Sequence, residues 1–150
     1  MTELSAALKV VLANMYIMYL KSHSYHWNVE GMFFSQFHDF FGDLYSEVYG
    51  AIDPVAEHIR TLSIYAPHSF ADILSATTIE EDDHRVDNVR EMLYNLIKAN
   101  GEVTSALNRA FQLAQVNNNQ GMMNFLADRL DVHAKHGWQI RSYLQQTEAQ

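Results

Sequence analysis

Cysteine is absent from this 150-residue chain. Without thiols there is no disulfide, no thiolate zinc site and no iron–sulfur cluster, so imidazole and carboxylate are the only strong metal ligands on offer. Proline occurs twice and glycine six times. With so few breakers, helices should be long. Basic residues are scarce as well: ten Lys and Arg against eighteen Asp and Glu leave a net charge of −8 with histidine neutral. Such a chain repels nucleic acid and draws cations from a distance. Neither end carries a basic arm, since Met1-Thr2-Glu3 and Gln146-Thr147-Glu148-Ala149-Gln150 are neutral to acidic, so DNA binding is not expected. No unbroken apolar run reaches the ~18 residues of a membrane helix, and no basic segment followed by an apolar one opens the chain. The expectation is a cytoplasmic protein with no membrane contact. Its apolar content of 48% suffices for a core, and the length predicts one domain over residues 1–150.

Apolar periodicity supplies the elements. Leu4, Leu8, Val11, Leu12, Met15, Tyr19, Ser22 and His26 follow a three-or-four spacing, which predicts a helix from an N-cap at Thr2 to about Asn28, ended by Gly31. A second helix begins near Ser35, with Phe41, Leu44, Val48, Ile52 or Val55, Ile59 and Leu62 as its stripe. Asp53-Pro54 interrupts it, but the stripe keeps phase, so one kinked helix is expected, with the carbonyl of Gly50 losing its bond. Tyr65-Ala66-Pro67-His68 reads as loop, and Ser69 to Ala76 as a short helix across the connection. Thr78, three residues before Glu81, has the spacing of a capping box. It predicts a third long helix carrying Val86, Val89, Leu93, Leu96, Ile97, Val103, Leu107, Ala110 and Phe111, with Gly101 costing roughly 1 kcal/mol inside it. Asn117 to Gly121 is an open turn, and a fourth helix runs from about Met122 to Leu144. Four long helices with two short links and one long one predict an all-α, ferritin-like four-helix bundle whose crossover carries a short helix.

The chemistry concentrates between His26 and Glu57. His26, His38, Asp53 and Glu57 follow one another at gaps of twelve, fifteen and four. His38 and Asp53 share a helix and lie ~22 Å apart along its axis at ~1.5 Å per residue. Ligands of one ion sit about 4 Å apart, given bonds of ~2.0–2.2 Å. They cannot share a metal within one chain. Asp53 and Glu57 can, as an i, i+4 pair, and His26 can meet His38 if the chain reverses at Gly31. At ~100° per residue all three residues on the second helix point away from its apolar stripe. A two-fold partner with an antiparallel copy of this helix would set His26 and His38 of one chain against Asp53 and Glu57 of the other, twice per dimer. Mixed imidazole and carboxylate ligands suit iron(II), manganese or zinc; four such residues also arise by chance in a chain with eight histidines.

The block His26-Trp27-Asn28-Val29-Glu30-Gly31, then Phe34-x-x-Phe37-His38, Asp53-x-x-Ala56-Glu57-x-Ile59-Arg60, Tyr65-Ala66-Pro67 and Lys135-x-x-Trp138 resembles the Dps family of mini-ferritins over nearly the whole chain. The resemblance implies a hollow, roughly spherical dodecamer of four-helix subunits. It implies oxidation of iron(II) between two-fold-related chains, with hydrogen peroxide or less readily oxygen, and storage of the ferric product, which suppresses hydroxyl-radical chemistry. By position, His26, His38, Asp53 and Glu57 match the family's iron ligands, and Trp27 matches a tryptophan beside the site that can intercept oxidising equivalents. The chain departs from the pattern in places. Gly42 stands where the family often has a carboxylate that assists a second iron. Amides, Asn117 to Gln120 and Asn124, stand where it lines entry pores with acids, with Asp128 or Asp131 as substitutes. The Lys-rich DNA-binding tail of many relatives is missing.

Other signals carry plainer readings. Glu81-x-x-His84 is a single E-x-x-H, read as acids complementing the first turn of a helix dipole. His23, His133 and His136 are expected to face solvent or neighbours, and His58, which replaces the family's usual arginine beside the glutamate, to lie at the surface. Phe33, Phe34, Phe37, Phe40 and Phe41 read as core and dimer interface. Two competing functions remain: a maxi-ferritin-like enzyme with a di-iron centre inside each subunit, and a DNA-compacting structural protein.

Overall fold

The computed structural model of the chain describes residues 2–148, with side chains as far as Gln145; the closing segment from Gln146 that was read for charge lies outside those side chains. Among the described residues five helices occur in the order α1 (Glu3–Asn28), α2 (Phe34–Thr61), α3 (Phe70–Ala76), α4 (Val89–Val116) and α5 (Gln120–Glu148). Thr2 caps α1, its hydroxyl accepting from the Ser5 N–H at 3.1 Å. Gly31 takes φ +116°, a left-handed backbone that only glycine adopts without strain, and the chain reverses there. α2 passes through Pro54 without a break, as the phase of its stripe predicts. Gly50 is exposed, so water can take the carbonyl that Pro54 leaves without a donor.

Cross-bundle contacts fix the topology. Tyr25 meets Asn95 and Asn14 meets Glu102, so α4 runs antiparallel to α1. Phe37 packs on Tyr143 and His58 on Phe125, so α5 runs antiparallel to α2. The order is up, down, down, up. A parallel α2–α4 pair cannot be joined by a tight turn, and residues 62–88, with α3 among them, make the crossover. The core gathers Leu8, Met15 and Met18 of α1, Phe41, Val55 and Ile59 of α2, Leu93, Leu96 and Leu107 of α4, and Met122, Leu126 and Ile140 of α5. By composition α1 is apolar and long enough to cross a membrane, because it packs against α2, α3 and α4 and is buried on most sides. This all-α bundle with its short crossover helix is the architecture the periodicity predicted.

The start of α4 corrects the sequence reading. The helix begins at Val89, eleven residues after Thr78, and Asn88 caps it by accepting from the Glu91 N–H at 2.8 Å. Tertiary bonds claim Thr78 instead. Its N–H donates to the buried side chain of Asn14, and its hydroxyl donates to Glu102. Downstream, Lys21 donates to the Glu80 carbonyl and pairs with Asp82 at 2.7 Å, while the Tyr25 hydroxyl donates to the other Asp82 oxygen. These bonds outbid a first helical turn, and residues 77–88 stay irregular. Val86 is buried as expected, but from the connection.

Candidate metal centre

The α1–α2 turn brings the two imidazoles together. Nδ1 of His26 donates to the His38 carbonyl at 2.6 Å, and Nδ1 of His38 donates to the His26 carbonyl at 2.8 Å. The rings stack at 3.8 Å between centroids. A main-chain acceptor on each Nδ1–H fixes the tautomer and leaves the Nε2 lone pair for a metal. Phe34 backs the far face of His38 at 4.9 Å. Gly42 has a structural reason: a Cβ there would sit 3.1 Å from both Cε1 and Nδ1 of His26. The ring of one metal-site candidate occupies the space that a side chain at position 42 would need.

The carboxylates lie elsewhere. Asp53 and Glu57 stand one turn apart on the exposed side of α2, and Ile52, Val55 and Ile59 face inward. The ~22 Å axial distance to His38 stands. Among the described residues no three His, Asp or Glu side chains of one chain converge. The structure therefore joins His26 with His38, and places Asp53 beside Glu57, without bringing the two pairs together.

Trp27 is exposed and packs on His23, with ring centroids 3.9 Å apart. His23, expected to face solvent or neighbours, faces neighbours: it also stacks on Tyr45 at 3.8 Å and bonds the Tyr19 hydroxyl through Nδ1 at 3.0 Å. Desolvation, then the neighbouring His26, lowers its pKa. His58 is no free surface group either: Nδ1 donates to the Pro54 carbonyl and the ring stacks on Phe125. The phenylalanines divide, with Phe41 fully buried, Phe37 and Phe40 packed against the core, and Phe33 and Phe34 exposed at the turn.

A polar cluster lies inside the bundle. His133 and His136, expected to face solvent or neighbours, are buried among neighbours. Arg129 forms a two-pronged pair with Glu47, at 2.6 and 2.9 Å, and also donates to Nε2 of His133. His136 donates to Glu47 at 2.7 Å, and Nδ1 of His133 donates to the side-chain oxygen of Asn100. Burial, with the Arg129 charge beside it, pushes the His133 pKa down to about 3. Burial would raise Glu47, but the bonds from His136 and Arg129 win and hold it at about 2. The spacing Arg129, His133, His136 puts all three on one face of α5, in phase with Leu126 and Ile140, and that phase was the signal for their burial.

Glu81 and His84 are not in a helix. They line a cavity of about 660 Å³ with Asp82, Asp83, Glu91 and Lys98, open to solvent between the crossover and α4. His84 bonds Asp83 at 2.6 Å, which raises its pKa. On α5, Asn124, Asp128 and Asp131 are all exposed.

Residues 5–149 match the ferritin-like domain family. The chain is 28% identical to a DNA protection during starvation protein of Halobacterium salinarum, over 93% of this chain and 76% of that one. It is 27% identical to a protein of the same name from Brevibacillus brevis, over 89% of each. The fold superposes on a Dps protein of Vibrio cholerae O1 with a TM-score of 0.89 at 29% identity, covering 95% of this chain and 89% of that one; that protein is described as a member of a broad superfamily of ferritin-like diiron-carboxylate proteins. A Dps protein of Bacillus brevis superposes with a TM-score of 0.88 at 26% identity over 94% of each. The chain belongs to the ferritin-like family and, within it, to the Dps proteins.

Proposed function

We propose that the chain, acting as one ferritin-like domain, is the subunit of a cytoplasmic dodecamer that oxidises iron(II), with hydrogen peroxide in preference to oxygen, and stores the ferric product. Family membership supports iron storage and protection from oxidative damage. The observation that carries the finer reading is the clamped imidazole pair, two metal donors preset on one subunit, with a carboxylate pair ~22 Å along the same helix. An isologous two-fold contact completes both sites with two imidazoles and two carboxylates each. Leu20, Tyr49, Phe70 and Leu74 border an apolar groove of about 520 Å³ on α1, α2 and α3, and all four are exposed. Exposed apolar surface of this kind marks an interaction site.

In this reading iron is the substrate. Neutral imidazoles bind iron(II) through Nε2. Asp53 and Glu57 supply two negative charges, which stabilise the ferric product more than the ferrous substrate and so favour oxidation. Trp27 stands beside the site. A di-iron centre inside the bundle finds no support, because the guanidinium of Arg129 fills the polar interior and is itself the counter-ion of Glu47. Anaerobic addition of iron(II), followed by peroxide, should give a fast ferric absorbance rise and no hydroxyl-radical adduct. Asp53→Ala and Glu57→Ala should each abolish the fast phase; unchanged rates in both defeat the assignment. Light scattering should give twelve times the 17.3 kDa chain mass.

A further inference from the structure

Between the two half-sites runs a column of aromatic rings that iron binding does not require. Tyr45 and Tyr49 sit two turns and one turn before Asp53 on the same i+4 row of α2. Tyr45 meets the ligand His26 edge-on at 5.2 Å. Tyr19 of α1 lies 6.2 Å from Tyr45 and 4.9 Å from Tyr49. Tyr49 is one turn from Asp53. Rings thus link the imidazole half-site of a subunit to its carboxylate half-site, and each pair of neighbours is close enough for electron transfer. His23 stacks on Tyr45 and holds the Tyr19 hydroxyl through Nδ1. A phenol gives up an electron far more easily when a base takes its proton in the same step, and only Tyr19 of the column has such a base bonded to it.

Electron counting gives the column work to do. One iron(II) yields one electron, while peroxide needs two to become water. A single electron produces hydroxyl radical instead. Gly42 brings no side chain to the space beside His26. We propose that Tyr45, Tyr19 and Tyr49 form an electron conduit joining the two iron sites of a two-fold pair, so that both act on one peroxide. This inference rests on the two-fold iron site proposed above. At the site that meets peroxide, the local iron(II) gives one electron and Tyr19 the other. The O–O bond breaks, two protons from solvent complete two waters, and the phenolic proton of Tyr19 moves to Nδ1 of His23. The tyrosyl radical is then reduced by iron(II) at the other site as the proton returns. In total, two iron(II), one peroxide and two protons become two iron(III) and two waters.

Tyr19→Phe and Tyr49→Phe keep the rings and their packing, and Tyr65→Phe, at an exposed position off the column, is the control. With one iron(II) per subunit, native protein should consume two irons per peroxide without a hydroxyl-radical spin adduct. In Tyr19→Phe the ratio should fall toward one and the adduct should appear. The second arm needs no iron: a photogenerated one-electron oxidant should give the metal-free protein a tyrosyl radical by electron paramagnetic resonance, and Tyr19→Phe should lose it. A Tyr19→Phe protein with native stoichiometry, no adduct and an unchanged radical overturns the conduit. If native protein oxidises no iron with peroxide, the proposed function fails instead, and the iron-free arm alone decides whether Tyr19 is the oxidisable residue.

Discussion

At the scale of single residues, Gly42 and Glu47 show how much one position can decide. The His26 ring lies against Gly42 with no room for a methyl group. In Gly42→Ala the ring must move by a few tenths of an ångström, which strains both carbonyl bonds of the clamp. Disturbing the groups that orient a ligand typically costs about tenfold or more in metal affinity. Cobalt(II) titration of the assembled protein should show a loss of about that size. Glu47 neutralises Arg129 in the bundle interior, and Glu47→Ala leaves the guanidinium buried without its counter-ion. Roughly 3 kcal/mol of stability should be lost in urea denaturation, at the low end for buried pairs because about a third of the Glu47 side chain meets solvent. The same cluster sets the acid limit. His133 is held neutral down to about pH 3, whereas an unfolded histidine takes a proton near its usual pKa of about 6.5. Its contribution is complete above about pH 6.5 and is lost progressively toward pH 3. Glu47, depressed to about 2, adds a loss that begins near its ordinary pKa and runs downward. The unfolding midpoint should therefore fall on acidification, with a shallower slope between pH about 6.5 and 4.5 in His133→Gln.

At the scale of elements, the crossover depends on Asn14. Its buried amide accepts from the Thr77 hydroxyl and the Thr78 N–H and donates to Thr78 and to the Glu102 carbonyl. Asn14→Ala strands those groups and should cost about 2 kcal/mol, with hydrogen exchange rising first in residues 77–88. This is also where sequence reading fails, and for the same reason. Helices α1, α2 and α5 are legible because local periodicity and the packed fold want the same thing: the stripe of α2 survives Pro54 because its phase does. Thr78 satisfies a local capping pattern, yet partners 64 and 24 residues away take its hydrogen bonds. Likewise the clamp of His26 on His38 follows from the turn at Gly31, but not the carbonyl partners that set the tautomers. His133 and His136 could have been placed by the phase of α5; that Arg129 and Glu47 would neutralise one another there depends on the packing of α2 against α5.

For the whole molecule, the apolar groove predicts the path of assembly. A charge at Leu20, which is exposed on its rim, should be costly to bury against a second copy. If the chain assembles as proposed, Leu20→Glu should give monomers by light scattering while helicity is retained, and the fast ferric phase should vanish although His26, His38, Asp53 and Glu57 are intact. A protein that keeps its rate as a monomer would place the chemistry within one chain.

The reciprocal bonds of His26 and His38 close a ring around the α1–α2 turn. Met32, at the tip of that loop, takes no part in the closure. The Met32 side chain is thus set apart from the two imidazoles, like the handle of a clasp. Met32, almost fully exposed, can be replaced while both imidazoles stay in register. Met32 is the natural place to attach a label to the chain.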